Sequence, residues 1–497
     1  MIQARVVLDT NFTIGDVPRR LFGSFVEHMG RCVYTGIFEP GHPLADGDGF
    51  RKDVLELVRE LGVTTIRYPG GNFVSNYRWE DGVGPVESRP VRRDLAWRSI
   101  ETNRFGLNEF ARWAQAAGVE PMMAVNLGTR GTAEALELLE YCNLDAGTYF
   151  SDLRASHGVR DPHGFRLWCL GNEMDGPWQI GHKDATEYGR LAEQTGHAMK
   201  RLDPGIELVA CGSSNADMPT FASWEAEVLR HCYDVVDYLS MHAYYEQHGD
   251  DVASFLASGA GMDRFIEGVI ATADHVGAAL KRSKRINLSF DEWNVWYQSE
   301  FGGEDSLDWE EAPDLIQNDF DVADATVVGG LLISLLNHSD RVHVGCQAQL
   351  VNIIAPIRTA PGGPAWRQTI FHPFALTAQN ARGTALRPAV DAPTTATGEY
   401  GEVAVIDAAA TTDGTQTSVF LVNRLPDRAI ETEIVLQGDL PAGQVVHTVL
   451  AAEDVDAVNT QADPDRVTPA SARITPAGEN RVTVTLPPAS WSMVTLV

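Results

Sequence analysis

Cysteine is scarce in this sequence, and the cysteines that are present do not form closely spaced pairs. Only six occur in 497 residues, at positions Cys32, Cys142, Cys169, Cys211, Cys232 and Cys346, without a CxxC motif. A disulfide framework is not expected at this density. We interpret the six as reduced, mostly buried thiols of a cytosolic protein.

Long apolar runs are also missing. The longest, from Thr326 to Leu336, is too short to span a bilayer. The stretch from Met1 to Thr10 has no basic segment followed by a long apolar one, so we expect no secretory signal. These absences predict a cytoplasmic protein without a membrane partner.

Basic residues are few compared with acidic ones. The sequence has 39 Lys and Arg residues against 68 Asp and Glu residues, which gives a net charge of −29. This balance argues against nucleic acid or an anionic membrane as a partner, and solubility explains it well enough. Apolar residues make up 44% of the chain, and its length suits a large domain with a smaller one.

Strand-like and helix-like segments alternate through residues 18–384. Helical spacing is found, for example, in Asp184–Arg201 and Asp263–Arg282. Strand-like runs occupy residues 22–26, 63–67, 121–125, 165–170, 206–211, 236–241, 286–290 and 342–346. This alternation predicts a (β/α)₈ barrel for residues 18–384.

The pattern changes near Thr384, where helical periodicity stops. Short alternating runs follow at 403–406, 417–422, 433–436, 445–450, 481–486 and 491–496, with turn-forming clusters between them. Residues 385–497 are therefore predicted to form an antiparallel, jelly-roll-like β-sandwich. We expect residues 1–17 to add a strand to this domain, which makes it discontinuous.

Two glutamates each come soon after a predicted barrel strand. Glu173 follows the fourth strand and an amide, Asn172, whereas Glu292 follows the seventh and precedes two tryptophans. The C-terminal ends of barrel strands converge on one face, and acid–base chemistry on a sugar acetal needs two carboxyl groups together. Either glutamate alone could be a helix cap or a solvated carboxylate. The pair, with its amide and aromatic neighbours, favours a shared catalytic pocket.

Several long motifs extend this interpretation. They are Ser24–His28, Arg67–Phe73, Trp79–Gly82, Gly171–Trp178 and Asp291–Tyr297. With them the chain resembles, essentially end to end, the α-L-arabinofuranosidases of glycoside hydrolase family 51. The resemblance implies a retaining, exo-acting enzyme that releases terminal α-L-arabinofuranosyl residues from arabinan, arabinoxylan or arabino-oligosaccharides. It also implies that Glu173 is the general acid/base and Glu292 the nucleophile.

The resemblance assigns further roles around the two glutamates. Asn172 would bind the sugar 2-hydroxyl, and Arg67 and His242 would lie behind the carboxyl groups, with Arg67 favouring an ionised Glu292. The positions implied to hold the sugar or to orient the nucleophile are Glu27, Asn72, Tyr244 and Gln349, and the implied aromatic walls are Trp97, Trp178 and Trp296. Some of these residues have plainer alternatives. Arg67 could form a structural ion pair, Tyr244 and Trp296 could be core aromatics, and Trp97 could fill a subunit interface.

No cofactor is expected. The histidines His28, His242 and His343 lack the HxH or HxxxH spacing of a metal site, and packed or hydrogen-bonded histidines explain them better. The resemblance further implies a homo-oligomer, possibly a hexamer. Two other functions stay open at this point: another retaining glycosidase on the same barrel, such as a β-xylosidase or an endoglucanase, and a non-catalytic carbohydrate-binding protein.

Overall fold

The computed structural model describes residues 2–438, 440, 443–476 and 480–497. Its strands are β1 (Ile2–Asp9), β2 (Thr13–Asp16), β3 (Gly23–Phe25), β4 (Thr65–Tyr68), β5 (Arg92–Arg93), β6 (Ile100–Glu101), β7 (Glu120–Val125), β8 (Leu167–Leu170), β9 (Glu207–Ala210), β10 (Tyr238–Tyr245), β11 (Asn287–Val295), β12 (Val342–Gln347), β13 (Ile357–Thr359), β14 (Ala365–Arg367), β15 (Thr384–Leu386), β16 (Ala389–Asp391), β17 (Thr394–Thr397), β18 (Gly401–Ala404), β19 (Ile406–Thr412), β20 (Thr417–Asn423), β21 (Ile430–Gln437), β22 (Val445–Leu450), β23 (Ala470–Ser471), β24 (Ile474–Pro476), β25 (Arg481–Leu486) and β26 (Ser490–Leu496).

The helices lie mainly between the barrel strands. They are α1 (Lys52–Leu61), α2 (Leu107–Ala117), α3 (Thr132–Asn143), α4 (Tyr149–Ser156), α5 (Ala185–Leu202), α6 (Ser223–Cys232), α7 (Val252–Leu256), α8 (Ser258–Ala279), α9 (Val322–Asn337) and α10 (Phe371–Asn380). None of those in the described ranges is long and apolar enough to cross a membrane. All six cysteines are buried and unbonded.

Eight strands close into a parallel barrel, as the alternating pattern predicted. Their order is β3-β4-β7-β8-β9-β10-β11-β12, and β12 pairs with β3 to complete the ring. Each of the eight overlaps one of the strand-like runs in the sequence. The (β/α)₈ prediction is therefore confirmed, and the C-terminal strand ends meet on one face.

The seventh barrel strand is longer than the sequence pattern suggested. The predicted strand ended at Phe290, but β11 continues to Val295 because Trp293 and Val295 are fully buried and extend its apolar face. Glu292 therefore lies within β11 and not after it. It pairs in register with His242 of β10, which places the two side chains next to each other.

Two further sheets form the expected sandwich. One sheet has the order β16-β1-β21-β25-β24 and the other β2-β15-β19-β20-β26-β22-β23. Pairing is antiparallel except between β1 and β21, which run parallel. The predicted strand at 403–406 is divided between the end of β18 and the start of β19. The chain division at residues 17 and 384 remains our prediction, and β15, in the second sheet, starts at the latter position.

Helix α9 joins the barrel to the sandwich. It is buried from Val322 to Leu336 and packs against β19, β20 and β26. At Gly329 an added Cβ would lie 2.1 Å from the Trp491 ring of β26. Glycine is needed there because the helix backbone touches the indole directly.

A two-stranded hairpin, β17–β18, is separate from both sheets of the sandwich. Its strands run antiparallel from Thr394 to Ala404. The hairpin contacts α7, the short helix that follows β10 in the barrel. The smaller domain therefore extends towards the barrel face that carries the C-terminal strand ends.

Candidate active site

Glu292 is held by two hydrogen-bond donors. Nη1 of Arg67, from β4, lies 2.6 Å from its Oε1, and the Tyr244 hydroxyl, from β10, donates to its Oε2 at 2.7 Å. Arg67 and Glu292 are both buried. Burial disfavours the charged guanidinium, but the carboxylates of Asp291 and Glu292 raise the pKa of Arg67 well above its usual value. These two donors fix the orientation of the Glu292 carboxyl group.

Glu173 has a different environment. Its Oε1 lies 2.9 Å from Nδ1 of His242, and its Oε2 accepts a 2.7 Å hydrogen bond from Nε1 of Trp178. Burial raises the pKa of Glu173, the hydrogen bond from His242 lowers it, and the charge of Glu292 raises it again. The net direction is upwards, so Glu173 holds a proton more readily than an exposed glutamate does.

The backbone at Glu173 is unusual for a residue with a side chain. Its φ of +44° lies in the left-handed region, which costs conformational energy outside glycine and is concentrated at functional sites. The preceding strand, β8, ends at Leu170, and the turn after it includes Gly171 with φ +94°. This turn directs the Glu173 side chain into the pocket beside Glu292.

The two glutamates are close together. One carboxylate oxygen of each, with a ring nitrogen of His242, lie within 4.8 Å of one another. The His242 Nδ1 atom is 2.9 Å from Glu173 and 3.6 Å from Glu292, and Nε2 is 2.9 Å from Oδ1 of Asp291. Burial disfavours a charged imidazole, but the three surrounding carboxylates raise the pKa of His242 to about 10. This environment favours the charged imidazolium form of His242 at neutral pH.

These three side chains could each offer one ligand atom to a metal ion. The hydrogen-bond geometry argues against such a use. Both ring nitrogens of His242 face a carboxylate oxygen at 2.9 Å, as expected when both carry protons. A protonated imidazole has no lone pair for a metal. The cluster is better described as an imidazolium between carboxylates.

Asn172 is held by Arg67. Its Oδ1 accepts a 2.5 Å hydrogen bond from Nη2 of the guanidinium that also holds Glu292. Its Nδ2 is left with two long contacts, 3.3 Å to Asn72 and 3.4 Å to Gln179. The amide is thus fixed in one orientation by Arg67, with its N–H groups directed at Asn72 and Gln179.

Glu27 accepts hydrogen bonds from three directions. The Phe73 backbone N–H and Nε1 of Trp97 donate to Oε1 at 2.9 and 2.8 Å, and Nε2 of Gln349 donates to Oε2 at 3.0 Å. Burial raises the pKa of Glu27 to about 8, although the hydrogen bonds from Phe73 and Trp97 oppose the shift. The loop that contains Gly70 passes very close to the Glu27 side chain. Only glycine fits there, because an added Cβ would lie 2.4 Å from Cγ of Glu27.

The predicted aromatic walls all reach this site. Trp97 contacts Glu27, Trp178 contacts Glu173 and is 45% exposed, and Trp296 packs edge-on against Tyr244 at 5.0 Å between ring centroids. A single cavity of about 830 Å³ is lined by the two glutamates and by Glu27, Asn72, Trp97, Trp178, Tyr244, Trp296 and Gln349. Arg67, Asn172 and His242 touch its members from behind. The structure therefore brings together every residue that the sequence put forward for the site.

Some contributors were not identified from the sequence. Asp291 holds Nε2 of His242, and its Oδ2 is 3.9 Å from Nε of Arg67. Gln179 is buried and bridges Asn172 to Ser75. Asp291 could have been found from the sequence, because it is adjacent to Glu292 on the same strand. The role of Gln179 depends on a loop contact that no local pattern indicates.

A (β/α)₈ barrel with two facing carboxyl groups at its C-terminal strand ends has the architecture of a glycoside hydrolase. Residues 57–257 match the family described as the alpha-L-arabinofuranosidase 1 domain, and residues 291–490 match the alpha-L-arabinofuranosidase C-terminal domain. The chain belongs to the α-L-arabinofuranosidases of glycoside hydrolase family 51.

Individual relatives agree with this family. An intracellular exo-α-(1→5)-L-arabinofuranosidase of Streptomyces lividans is 59% identical over 99% of this chain and 75% of its own length. An exo-α-(1→6)-L-arabinofuranosidase of Bifidobacterium longum is 52% identical over 99% of this chain and 97% of its own length. The structure of a family 51 α-L-arabinofuranosidase from B. longum superposes with a TM-score of 0.96 at 48% identity, over the whole of both chains.

Proposed function

We propose that this chain removes terminal non-reducing α-L-arabinofuranosyl residues from arabinan, arabinoxylan or arabino-oligosaccharides by double displacement. In this proposal Glu173 is the general acid/base and Glu292 is the nucleophile.

The observation that carries the proposal is the short distance between the carboxyl groups. Retaining glycosidases place them about 5–5.5 Å apart, whereas inverting enzymes need about 6.5–9.5 Å to admit a water molecule. Oxygens of Glu173 and Glu292 lie within 4.8 Å of each other. This distance is closer to the retaining spacing than to the inverting one, and it supports direct attack by a carboxylate.

The environments of the two carboxyl groups suit different roles. Arg67 and Tyr244 each donate one hydrogen bond to Glu292, which holds its carboxyl group in position to act as the nucleophile. Glu173, with its raised pKa, donates a proton to the departing oxygen. It then removes a proton from the water that hydrolyses the glycosyl-enzyme.

Polar groups around the pair are placed to bind one furanose ring. The Nδ2 group of Asn172, which makes only long contacts to Asn72 and Gln179, can donate instead to the 2-hydroxyl, where hydrogen bonds strengthen in the transition state. Oε1 of Gln349 is buried without a hydrogen-bond partner among the described residues, and it can accept from a sugar hydroxyl. Glu27 and Asn72 line the same cavity.

Two linkages are proposed for the substrate. The relatives named above include enzymes for α-(1→5) and for α-(1→6) linkages, so both are candidates for this chain. The S. lividans relative is named intracellular, which supports a cytoplasmic location here.

A homo-oligomer is proposed as the assembly, since closed symmetric assemblies are the default for soluble enzymes. A monomeric mass by light scattering at micromolar concentration would refute it.

The function is tested with a panel of nitrophenyl glycosides. We expect cleavage of 4-nitrophenyl α-L-arabinofuranoside, with the β-D-xylopyranoside and β-D-glucopyranoside cleaved far more slowly. Faster cleavage of either of the latter would favour the β-xylosidase or endoglucanase alternative. Proton NMR of the first-formed sugar should show the α-anomer, and the β-anomer would contradict retention. The Glu56→Ala variant, at an exposed position of α1, is a suitable control.

A further inference from the structure

The substrate cleft is larger than one sugar requires, and two domains line it. We call the part lined by the buried residues Glu27, Glu173 and Glu292 its closed end, and the part lined by the more exposed Glu399 and Tyr400 of the β17–β18 hairpin its outer part. The whole cavity of about 830 Å³ is in the range that holds a drug-sized ligand. A single furanose at the carboxyl groups fills only the closed end, so the rest is available to the leaving group.

The hairpin tip is fixed to the barrel by specific hydrogen bonds. Oγ of Ser254, in α7, accepts the backbone N–H of Glu399 at 3.1 Å. Arg264, in α8, donates from Nη2 to the backbone oxygen of Tyr400 at 2.6 Å. These helices follow β10, which carries His242 and Tyr244. The hairpin is therefore docked onto the same segment that builds the catalytic end of the cleft.

The Tyr400 side chain is held in place as well. Its ring lies over Gly261 of α8, where an added Cβ would be 2.9 Å from Cε1. The Arg264 guanidinium is 5.8 Å from the ring centroid. Tyr400 is half-buried and keeps surface facing the cleft. A fixed aromatic ring with a neighbouring guanidinium offers both a stacking surface and hydrogen-bond donors to a sugar.

The charge of the outer cleft indicates what kind of leaving group it accepts. Apart from Arg264, its ionisable lining is mostly acidic, with carboxylates at Asp217, Glu246, Asp251, Glu304 and Glu399. Sugar hydroxyls donate hydrogen bonds to such groups, whereas an anionic uronic acid would be repelled. The outer cleft thus suits a neutral oligosaccharide.

We propose that Tyr400 and Arg264 form a binding site for the leaving-group end of the substrate, and that they hold a neutral sugar beyond the one adjacent to the cleaved bond. The C-terminal domain thereby contributes directly to substrate selection through its hairpin. This proposal rests on the arabinofuranosidase function proposed above.

The test compares a long substrate with a short one in the same variants. The measured quantity is the ratio of kcat/KM for a linear α-1,5-arabinotriose to kcat/KM for 4-nitrophenyl α-L-arabinofuranoside. In Tyr400→Ala this ratio should fall about two- to tenfold, which is the loss of one aromatic contact. Tyr400→Phe keeps the aromatic ring, so its ratio should stay close to the wild-type value. Tyr149→Ala, which removes an exposed tyrosine of α4, should leave it at the wild-type value.

A structural role for the hairpin would give a different result. If Tyr400→Ala lowered kcat/KM for both substrates equally, the ratio would stay constant and the binding site would be refuted. Calorimetric titration of arabinotriose into Glu173→Ala, with and without Tyr400→Ala, provides a measurement without turnover, and equal affinities would also overturn the proposal. Absence of arabinofuranoside hydrolysis by the wild-type enzyme would instead remove the proposed function on which the site depends.

Discussion

Nδ1 of His242 lies 2.9 Å from Oε1 of Glu173, which places a cation directly against the proposed acid/base. Because this hydrogen bond lowers the Glu173 pKa against the effect of burial, its loss should raise that pKa further. In His242→Gln we expect the alkaline limb of the kcat/KM profile to move to higher pH, by about one unit or more. The pH dependence of arabinofuranoside hydrolysis measures this shift.

A neutral donor on the same carboxyl group serves as the comparison. Trp178 donates to Oε2 of Glu173 at 2.7 Å, so Trp178→Phe removes a hydrogen bond but no charge. The alkaline limb of the kcat/KM profile of Trp178→Phe should also move to higher pH, but by a smaller amount than in His242→Gln. An alkaline limb that stays in place or moves to lower pH in His242→Gln would show that Glu173 does not control it.

Arg67 should matter for folding as well as for activity. It is 1% exposed and makes charged contacts with Glu292 and Asp291. Arg67→Met leaves these carboxylates without their cation, and breaking a buried pair in this way costs about 3–5 kcal/mol of unfolding free energy. Denaturant titration measures the loss. Activity should fall about 10²-fold or more, since a fixed donor to the nucleophile is removed.

An exposed ion pair provides the matched control for Arg67. Arg92 contacts Asp81 at 2.8 Å but is half exposed, and surface pairs contribute little to stability. Arg92→Met should therefore leave unfolding and activity nearly unchanged. If the two variants lost the same stability, the buried position of Arg67 would not be the reason for its effect.

Removal of metal ions should leave the enzyme active. The cluster of Glu173, His242 and Glu292 has a spacing that a metal could use, but both nitrogens of His242 are directed at carboxylates. We expect kcat/KM for 4-nitrophenyl α-L-arabinofuranoside to be unchanged after exhaustive chelation and dialysis. A loss that one particular divalent ion restores would show that the cluster is a metal site.

Much of this arrangement could be predicted from the sequence, because barrel geometry depends on local periodicity. Each strand can be recognised from its own apolar pattern. Once the strands close into a ring, residues that follow β8 and residues near the end of β11 must lie on the same face of the barrel. Glu173 and Glu292 were therefore found without knowledge of any contact between them. The length of β11 was wrong by a few residues, since an aromatic and polar segment gives no clear strand signal at its end.

Contacts made by loops could not be predicted in the same way. Gln179 reaches Ser75, and Tyr400 rests on α8 although 136 residues separate it from Arg264. The parallel pairing of β1 with β21 likewise joins distant segments. Such contacts depend on how complete elements pack, and no period or motif in either partner indicates the other.

The roles of the two glutamates can be separated by the leaving group. The acid matters most when a poor leaving group, such as a sugar alkoxide, must be protonated, whereas nitrophenolate departs without help. Glu173→Ala should therefore lose most activity on arabino-oligosaccharides but still form the glycosyl-enzyme from the nitrophenyl substrate. Its second step lacks a base, so an initial burst should be followed by slow turnover that added azide accelerates.

Glu292→Ala should behave differently because it has no nucleophile to form the intermediate. It should lose both substrate classes, without a burst of nitrophenolate, and azide attacking in its place should give the β-glycosyl azide where Glu173→Ala gives the α-product. Stopped-flow absorbance records the burst, and proton NMR distinguishes the two azides. A burst in Glu292→Ala, or equal sensitivity of both variants to the leaving group, would reverse or reject the assignment of Glu173 as acid/base and Glu292 as nucleophile.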